Sequence, residues 1–460
     1  MTKQFRAHKP IPAAAPHSPP PKQSGEKGFL LTWSYSFIPA LRKHVKRQYR
    51  SILFGRHITY STIYAVTLLV SAWTRTSFGA ADETDTFQPY VSESLIYEDN
   101  LFRLSDGIDA KSLTGKAERW DLNNRLSAGA KLYFPLGLQE FTFQGSMGDN
   151  RYVNNDQLDH ISLSGKGIWK WQVGKSFTGT MNYGYRRYMG RFVNTRFFGK
   201  DLISDDTALF DINYRPNASW RLNAKYQWLD SQHSASERRF LDFTSNTGIM
   251  GIHYQSPAAN SIGLQFRHTD ARLPNRERRL STLIDNRYKE YEFGAVYNWK
   301  ITGKSVLDGH ISYLIRSHEE FSQRDFEGEI WQVNYQWTPT GKTSIALSAW
   351  RNLLTGTQDL TASYIIANGF SISPTWSATS KISVQAKFSW EEQEYAGDPD
   401  LGAREKTRMD TVLNGQLSLS YDFTDHGQLN IGYRAGGRDS SRVLSDYEYN
   451  TVFANAILSF

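Results

Sequence analysis

RWDLNNRLSAGAKLY, residues Arg119 to Tyr133, reads as a strand with one oily and one wet face. Trp120, Leu122, Leu126, Ala128, Ala130 and Leu132 share one parity, while Arg119, Asp121, Asn123, Arg125, Ser127 and Lys131 share the other. Successive side chains of a strand point to opposite faces, whereas a helix would scatter these residues around its circumference. The pattern recurs as Ile382, Val384, Ala386, Phe388 and Trp390 against Ser383, Gln385, Lys387, Ser389 and Glu391. It recurs again as Leu413, Leu417, Leu419, Tyr421 and Phe423 against Asn414, Gln416, Ser418, Ser420 and Asp422.

Carried outward from Asp85, period two predicts strands near 86–98, 117–133, 139–149, 157–173, 177–189, 206–215, 219–230, 240–255 and 260–270. Nine more follow near 287–300, 304–318, 326–338, 342–353, 360–376, 380–392, 408–423, 427–436 and 447–460, making eighteen. Sixteen is the alternative if segments merge, an even count being the rule for single-chain bacterial barrels. Short links such as Pro135-Leu136-Gly137, Gly174-Lys175-Ser176 and Asp425-His426-Gly427 alternate with long polar stretches such as Asn100 to Lys116, Gly190 to Asp205, Asp270 to Asn286 and Glu392 to Thr407. Outer-membrane barrels alternate short periplasmic turns with long outer loops in this way. Strands of this length exceed the five or six residues usual in soluble sheets, and Trp169, Trp171, Trp299, Trp337 and Trp376 gather near strand ends, where a membrane interface favours them. Phe460 ends the last alternating strand, whose Leu458, Ala456, Ala454 and Val452 share a face.

Composition agrees. Hydrophobic residues make up 39% of the chain and aromatic residues 14%, with a mean hydropathy of -0.54. A helical membrane bundle needs several apolar runs of about 20 residues, and the chain offers only the short run from Thr62 to Trp73. Zero cysteines exclude a disulfide scaffold, a thiolate zinc site and a cysteine nucleophile. The net charge of +7 belongs to the leader: residues 1–81 hold 12 of the 53 Lys and Arg but only Glu26 of the 46 acids. Residues 82–460 therefore carry about -4, and no nucleic-acid partner is expected.

Residues 1–81 read as a low-complexity leader followed by a secretory signal peptide. Six prolines crowd the first 21 residues; then Arg42, Lys43, Lys46, Arg47, Arg50 and Arg56 precede the apolar run, and Gly79-Ala80-Ala81 supplies small residues for cleavage. The barrel would then occupy residues 82–460. The alternative is an N-terminal anchor, which Arg75 makes short for a lipid span.

In hydrocarbon an open sheet edge leaves unpaired N–H and C=O groups, so the first strand must pair with the last. At sixteen to eighteen strands side chains no longer fill the interior, and the inward parity should be wet. The candidate lumen-lining residues are Arg119, Asp121, Arg125, Lys131, Lys225, Glu290, Glu292, Asp308, His310, Arg316 and Asp410. Tyr183, Tyr185 and Tyr226 would add stacking faces if loops tucked them inward. No H-E-x-x-H, G-x-S-x-G or phosphate-loop pattern occurs, and His318-Glu319-Glu320 lacks a second histidine for zinc. His160, His253, His268 and His310 are read as wall residues, Glu391, Glu392 and Glu394 as a solvated strand end, and no catalytic, metal or cofactor site is expected.

The opening of the barrel, Phe87-Gln88-Pro89-Tyr90-Val91 followed by Tyr97-Glu98-Asp99-Asn100-Leu101-Phe102-Arg103-Leu104, resembles that of the outer-membrane β-barrels encoded with methanolan-type exopolysaccharide biosynthesis systems, often alongside exosortase B. Glu98 stands where that pattern has Asp. The resemblance implies a porin-like channel for polysaccharide export across the outer membrane of a Gram-negative bacterium. Its partners would be outer-membrane lipid, the extracellular polysaccharide and a separate periplasmic export protein, since residues 82–460 leave nothing over for a periplasmic scaffold. A passive porin for sugars or small anions shares the same fold, and an outer-membrane enzyme or adhesin is the alternative of another class. Physically, Asp99-Asn100 also reads as a turn initiator.

Overall fold

Alternation at this length resolves into a single closed sheet. The computed structural model describes residues 86–193, 197–276, 285–355, 362–397 and 407–460, all within the unit Phe78–Phe460. The expected leader and signal peptide lie outside the described residues.

Nine strands make up the first half: Phe87–Glu98 (β1), Asp121–Leu136 (β2), Gln139–Tyr152 (β3), His160–Val173 (β4), Phe177–Met189 (β5), Leu202–Tyr214 (β6), Trp220–His233 (β7), Phe243–Gln255 (β8) and Ser261–Arg272 (β9). The second half is Arg287–Thr302 (β10), Ser305–His318 (β11), Phe326–Thr340 (β12), Thr343–Leu354 (β13), Tyr364–Ser377 (β14), Ile382–Ala396 (β15), Met409–Thr424 (β16), Gly427–Ser440 (β17) and Tyr447–Ser459 (β18). Each strand pairs antiparallel with its sequence neighbours, and β1 pairs with β18 from Tyr90↔Ser459 to Glu98↔Thr451. The sheet is thus an 18-stranded barrel without an edge, and the alternative of sixteen is excluded.

Register fixes the faces. Phe134 opposes Phe141, Phe141 opposes Trp169 and Trp169 opposes Met181 across β2 to β5, so these residues share the outer parity. The outer parity holds the exposed large hydrophobics, among them Phe143, Met181, Met250, Leu264, Phe293, Ile311, Trp337 and Leu417. So large an apolar surface would aggregate in water and suits a lipid annulus. No described helix is long and apolar enough to cross a membrane; the crossing elements are strands.

Short turns all lie at the end where β1 begins and β18 finishes. At two of them Gly137 (φ 62°) and Gly174 (φ 59°) take the left-handed backbone that a tight hairpin requires and that glycine adopts without a Cβ clash. The other end carries longer loops, and there the expected boundaries shift. Strand β2 starts at Asp121 rather than 117, because Arg119 leaves the ladder to bind loop carbonyls. Strands β4 and β8 start three residues late because Asp156–Leu158 and Ser236–Leu241 form 3₁₀ turns that bury Leu158 and Leu241. In the β1–β2 loop a short helix, α1 (Ala110–Thr114), is capped by Asp109, whose side chain accepts from the Lys111 N–H, and ends at Gly115 (φ 77°).

The outer parity also carries charged residues, Glu93 among them. Glu93 stands between Val91 and Leu95 on β1, opposite Leu126 and Ala456. Its Oε1 is buried without a hydrogen-bond partner.

Candidate functional site

Across β7 to β12 a cavity of about 550 Å³ gathers Lys225, Glu292, Asp308 and His310, four of the residues expected in the lumen. Register explains their convergence: Asn298 opposes Asp308, Val296 opposes His310, and Glu292 opposes Arg267. Arg267 donates to the Glu292 carboxylate. Asn334 donates to Asp308 at 2.9 Å and accepts from Gln332 at 3.1 Å, while Lys225 Nζ lies 4.0 Å from Asp211. Asp211, Gln265, Arg267, Gln332 and Asn334 were not singled out from sequence, although inward parity alone would have found them. Both signs of charge and several amides therefore face one region of the wall, an arrangement suited to hydrogen-bonding a polar solute rather than to attracting one sign of ion.

The remaining sector differs in chemistry. Inward positions of β13 to β16 include Ser348, Ser371, Ser373, Gln385, Ser389, Asn414, Gln416 and Ser418; Ser371 opposes both Ser348 and Ser389, Ser389 opposes Asn414, and Gln385 opposes Ser418. Lys387 is the cation of this stretch, opposite Gln416. Arg125 and Lys131 face inward on β2, where Arg125 Nε donates to Ser127 Oγ at 3.1 Å.

The other expected lumen residues sit at the loop end and are engaged there. Asp121, 1% exposed, accepts from the N–H groups of Leu122, Val153 and Asn154 and from Asn155 Nδ2, which folds the β3–β4 loop onto β2. Arg119 donates to Ser105 O at 3.0 Å and to Ile108 O. Arg316, 2% exposed, donates to Glu290 and lies 4.5 Å from the Tyr288 ring centroid. Asp410, 1% exposed, receives Arg408 at 2.6 Å and Ser440 Oγ, with Arg438 at 3.7 Å. Arg408 and Arg438 stack 4.0 and 4.7 Å from the Tyr395 and Tyr447 rings. An arginine held between a carboxylate and a tyrosine face recurs around this rim, and cation–π contact and ion pair together immobilise it.

The family-like segment belongs to the same rim. Asn100, 6% exposed, donates from Nδ2 to Leu104 O (2.8 Å) and to Glu448 O (2.9 Å), and its Oδ1 accepts from Leu104 N (2.9 Å). Asp99 accepts from Asn450 N and Asn450 Nδ2. Arg103, in the left-handed region at φ 55°, donates to Glu98 and stacks 3.8 Å from the Tyr449 ring. Leu101, Phe102 and Leu104 are buried with Ala110 and Leu158, packed against Phe192 and Phe198 from the β5–β6 loop, and Tyr97 stacks on Trp120. The segment clasps the first strand, the last strand and three loops together.

Tyr183, Tyr185 and Tyr226 stand on the outer parity, opposite Ala208, Asp206 and Phe210, and offer no stacking face to the lumen. His268 is also outward and lies tilted against Tyr291 with ring centroids 4.7 Å apart. His160 binds Leu158 O through Nδ1 at 2.8 Å, and His253 lies against Gly263. Among the described residues no group of three or more His, Cys, Asp or Glu is placed to hold a metal ion.

A model of the family described as "Putative beta-barrel porin 2" matches residues 301–460. No curated protein matches the chain by sequence. Solved structures similar to it include outer-membrane proteins of Pseudomonas aeruginosa. OccK2 (OpdF) is 10% identical with a TM-score of 0.49, over 81% of this chain and 98% of that one. OccK2 in complex with glucuronate gives 10%, 0.48, 82% and 98%, and opdK gives 9%, 0.47, 81% and 99%.

Proposed function

We propose that the chain is an outer-membrane channel of a Gram-negative bacterium, with loops outward and turns in the periplasm, and that the solute it passes is an exported polysaccharide. The observation that carries the channel reading is the full circle of inward polar side chains inside an apolar outer face. Closure satisfies every ladder in lipid and leaves the wet parity to water and solute.

The hydroxyl- and amide-rich sector on β13 to β16 supports a sugar chain as the solute, because such groups both donate and accept hydrogen bonds as sugar hydroxyls do. The opposing Lys225, Arg267, Glu292 and Asp308 would orient the chain. The opening motif supports the same solute through its resemblance to polysaccharide-associated barrels. A separate periplasmic partner would deliver the polymer to the turn end. A passive sugar porin uses the same wall, and the mixed charges of the β6–β12 sector suit it too.

Single-channel conductance in planar bilayers tests the channel: steps are expected, with transient block by neutral oligosaccharides added on the turn side. A protein that inserts but neither conducts nor is blocked contradicts the proposal. Deletion separates the two solute readings, loss of secreted polymer with normal small-sugar uptake supporting export and the reverse supporting the porin.

A further inference from the structure

The lipid-facing wall is not uniform. Between β6 and β10 it is indented by a groove of about 780 Å³, walled by Ile252, Met250, Leu264, Phe266 and Phe293 and given a low floor by Ala224. Its volume lies within the roughly 300–1,000 Å³ of ligand sites. Three of those side chains are among the most exposed apolar groups of the barrel: Met250 at 68%, Leu264 at 66% and Phe293 at 57%.

What distinguishes this groove is the column of residues above it on the same two strands. Toward the loop end, paired outward positions of β9 and β10 run Phe266↔Phe293, His268↔Tyr291, Asp270↔Lys289 and Arg272↔Arg287. Two residues along a strand span about 6.6 Å, so the column rises about 20 Å from an aromatic pair, through an imidazole tilted against a phenol ring, to a cationic rim. At that rim Asp270 is shared by Arg287, whose Nε lies 3.1 Å away, and Arg272 at 3.8 Å; Glu319 is 3.9 Å from Arg287. Lys289 is exposed and forms no ion pair among the described residues, so three cations face two acids. An amphiphile with an apolar tail, a sugar-like middle and an anionic head matches the column from bottom to top.

We infer that this column is a binding site for one phosphorylated glycolipid of the outer leaflet, an acyl chain lying in the groove and a phosphate meeting Lys289, Arg272 and Arg287. Guanidinium and ammonium groups give charge-assisted hydrogen bonds to phosphate, and the His268–Tyr291 step offers the sugar a ring face. Burying tail methylenes against side chains rather than mobile lipid adds packing contacts. The inference takes the outer-membrane location and the outward orientation of the loops from the proposed function.

Native mass spectrometry of the folded, detergent-purified full chain tests it, with bis-phosphorylated lipid A as probe and heat-modifiable gel migration as the check of folding. The expected result is a one-to-one adduct, weakened at least tenfold in Lys289→Gln/Arg272→Gln and, separately, in the groove-filling Leu264→Trp. Met250→Trp serves if Leu264→Trp does not fold. Dephosphorylated lipid A should bind at least tenfold more weakly. Equal retention by the variants, equal binding of the dephosphorylated form or of phosphatidylglycerol, or full displacement by millimolar inorganic phosphate overturns the inference. A barrel that conducts but retains no such lipid sinks this site and leaves the channel standing.

Discussion

Replacing Asn100 by alanine should release the β1–β2 loop without unfolding the barrel. The side chain makes three hydrogen bonds, two to Leu104 and one to Glu448 O, in a site 6% exposed. Each is worth about 0.5–1.5 kcal/mol net, and a buried backbone group left unpaired costs about 1–3 kcal/mol. Water can reach part of the opened site, so a total of about 3 kcal/mol is expected. Loops open locally, with free energies well below global unfolding. At about 1.4 kcal/mol per decade, the open population should rise roughly 100-fold. Tryptic cleavage at Lys111 or Lys116 in the folded, detergent-solubilised protein reads that population directly when closing outruns cleavage. Ser112→Ala, at an exposed position where only a bond to Asp109 O is lost, is the control. A rise below about threefold for Asn100→Ala would show that the clasp does not hold the loop. Loss of oligosaccharide block with no gain in cleavage would assign the segment to solute binding instead.

Three further outcomes follow from the structure. Glu93→Leu should raise resistance to urea unfolding in lipid by about 1–2 kcal/mol, since a carboxylate in the apolar belt is costly; unchanged or lowered stability refutes its placement there. Asp410→Ala strips the carboxylate from Arg408 and Arg438 and should cost about 3–5 kcal/mol, read as a lower temperature for the loss of heat-modifiable migration. Burial works against ionisation of Asp201, but hydrogen bonds from His233 and Ala235 and the charges of His233 and Arg238 outweigh it and hold the carboxyl below its ordinary value. A depressed carboxylate gives stability that is present above its unfolded pKa of about 3.9 and is lost as pH falls through the folded value. Protection of residues 234–242 against hydrogen exchange should therefore fall as the pH drops below about 4, and Asp201→Asn should abolish that acid-limb loss.

The barrel was legible because period two is a local property. Every strand carries its own alternation, and eighteen of them can be counted without knowing which neighbours touch. Strand ends at the loop side were less legible because apolar residues there serve a second purpose. Leu158 and Leu241 look like strand residues, yet they anchor 3₁₀ turns, and Phe102 reads as part of a motif while its packing partners Phe192 and Phe198 lie some 90 residues on. Inward parity identified Lys225, Glu292, Asp308 and His310, whereas the engagement of Arg316 with Glu290 or of Asp410 with Arg438 depends on cross-strand register. Tyr183, Tyr185 and Tyr226 show a different limit: their stacking role depends on loops tucking them inward, and the strand register faces them outward.

The contact between β1 and β18 has a consequence for how the molecule is made. Asn455 Nδ2 donates to Ser94 Oγ across 361 residues of chain, the kind of distant meeting that slows assembly. Until Thr451–Ser459 is in place, β1 presents a free row of amides and carbonyls, open to any stray strand. The nascent protein must therefore be shielded until its tail arrives, and its last rungs act as a latch that turns a sticky ribbon into an inert pipe.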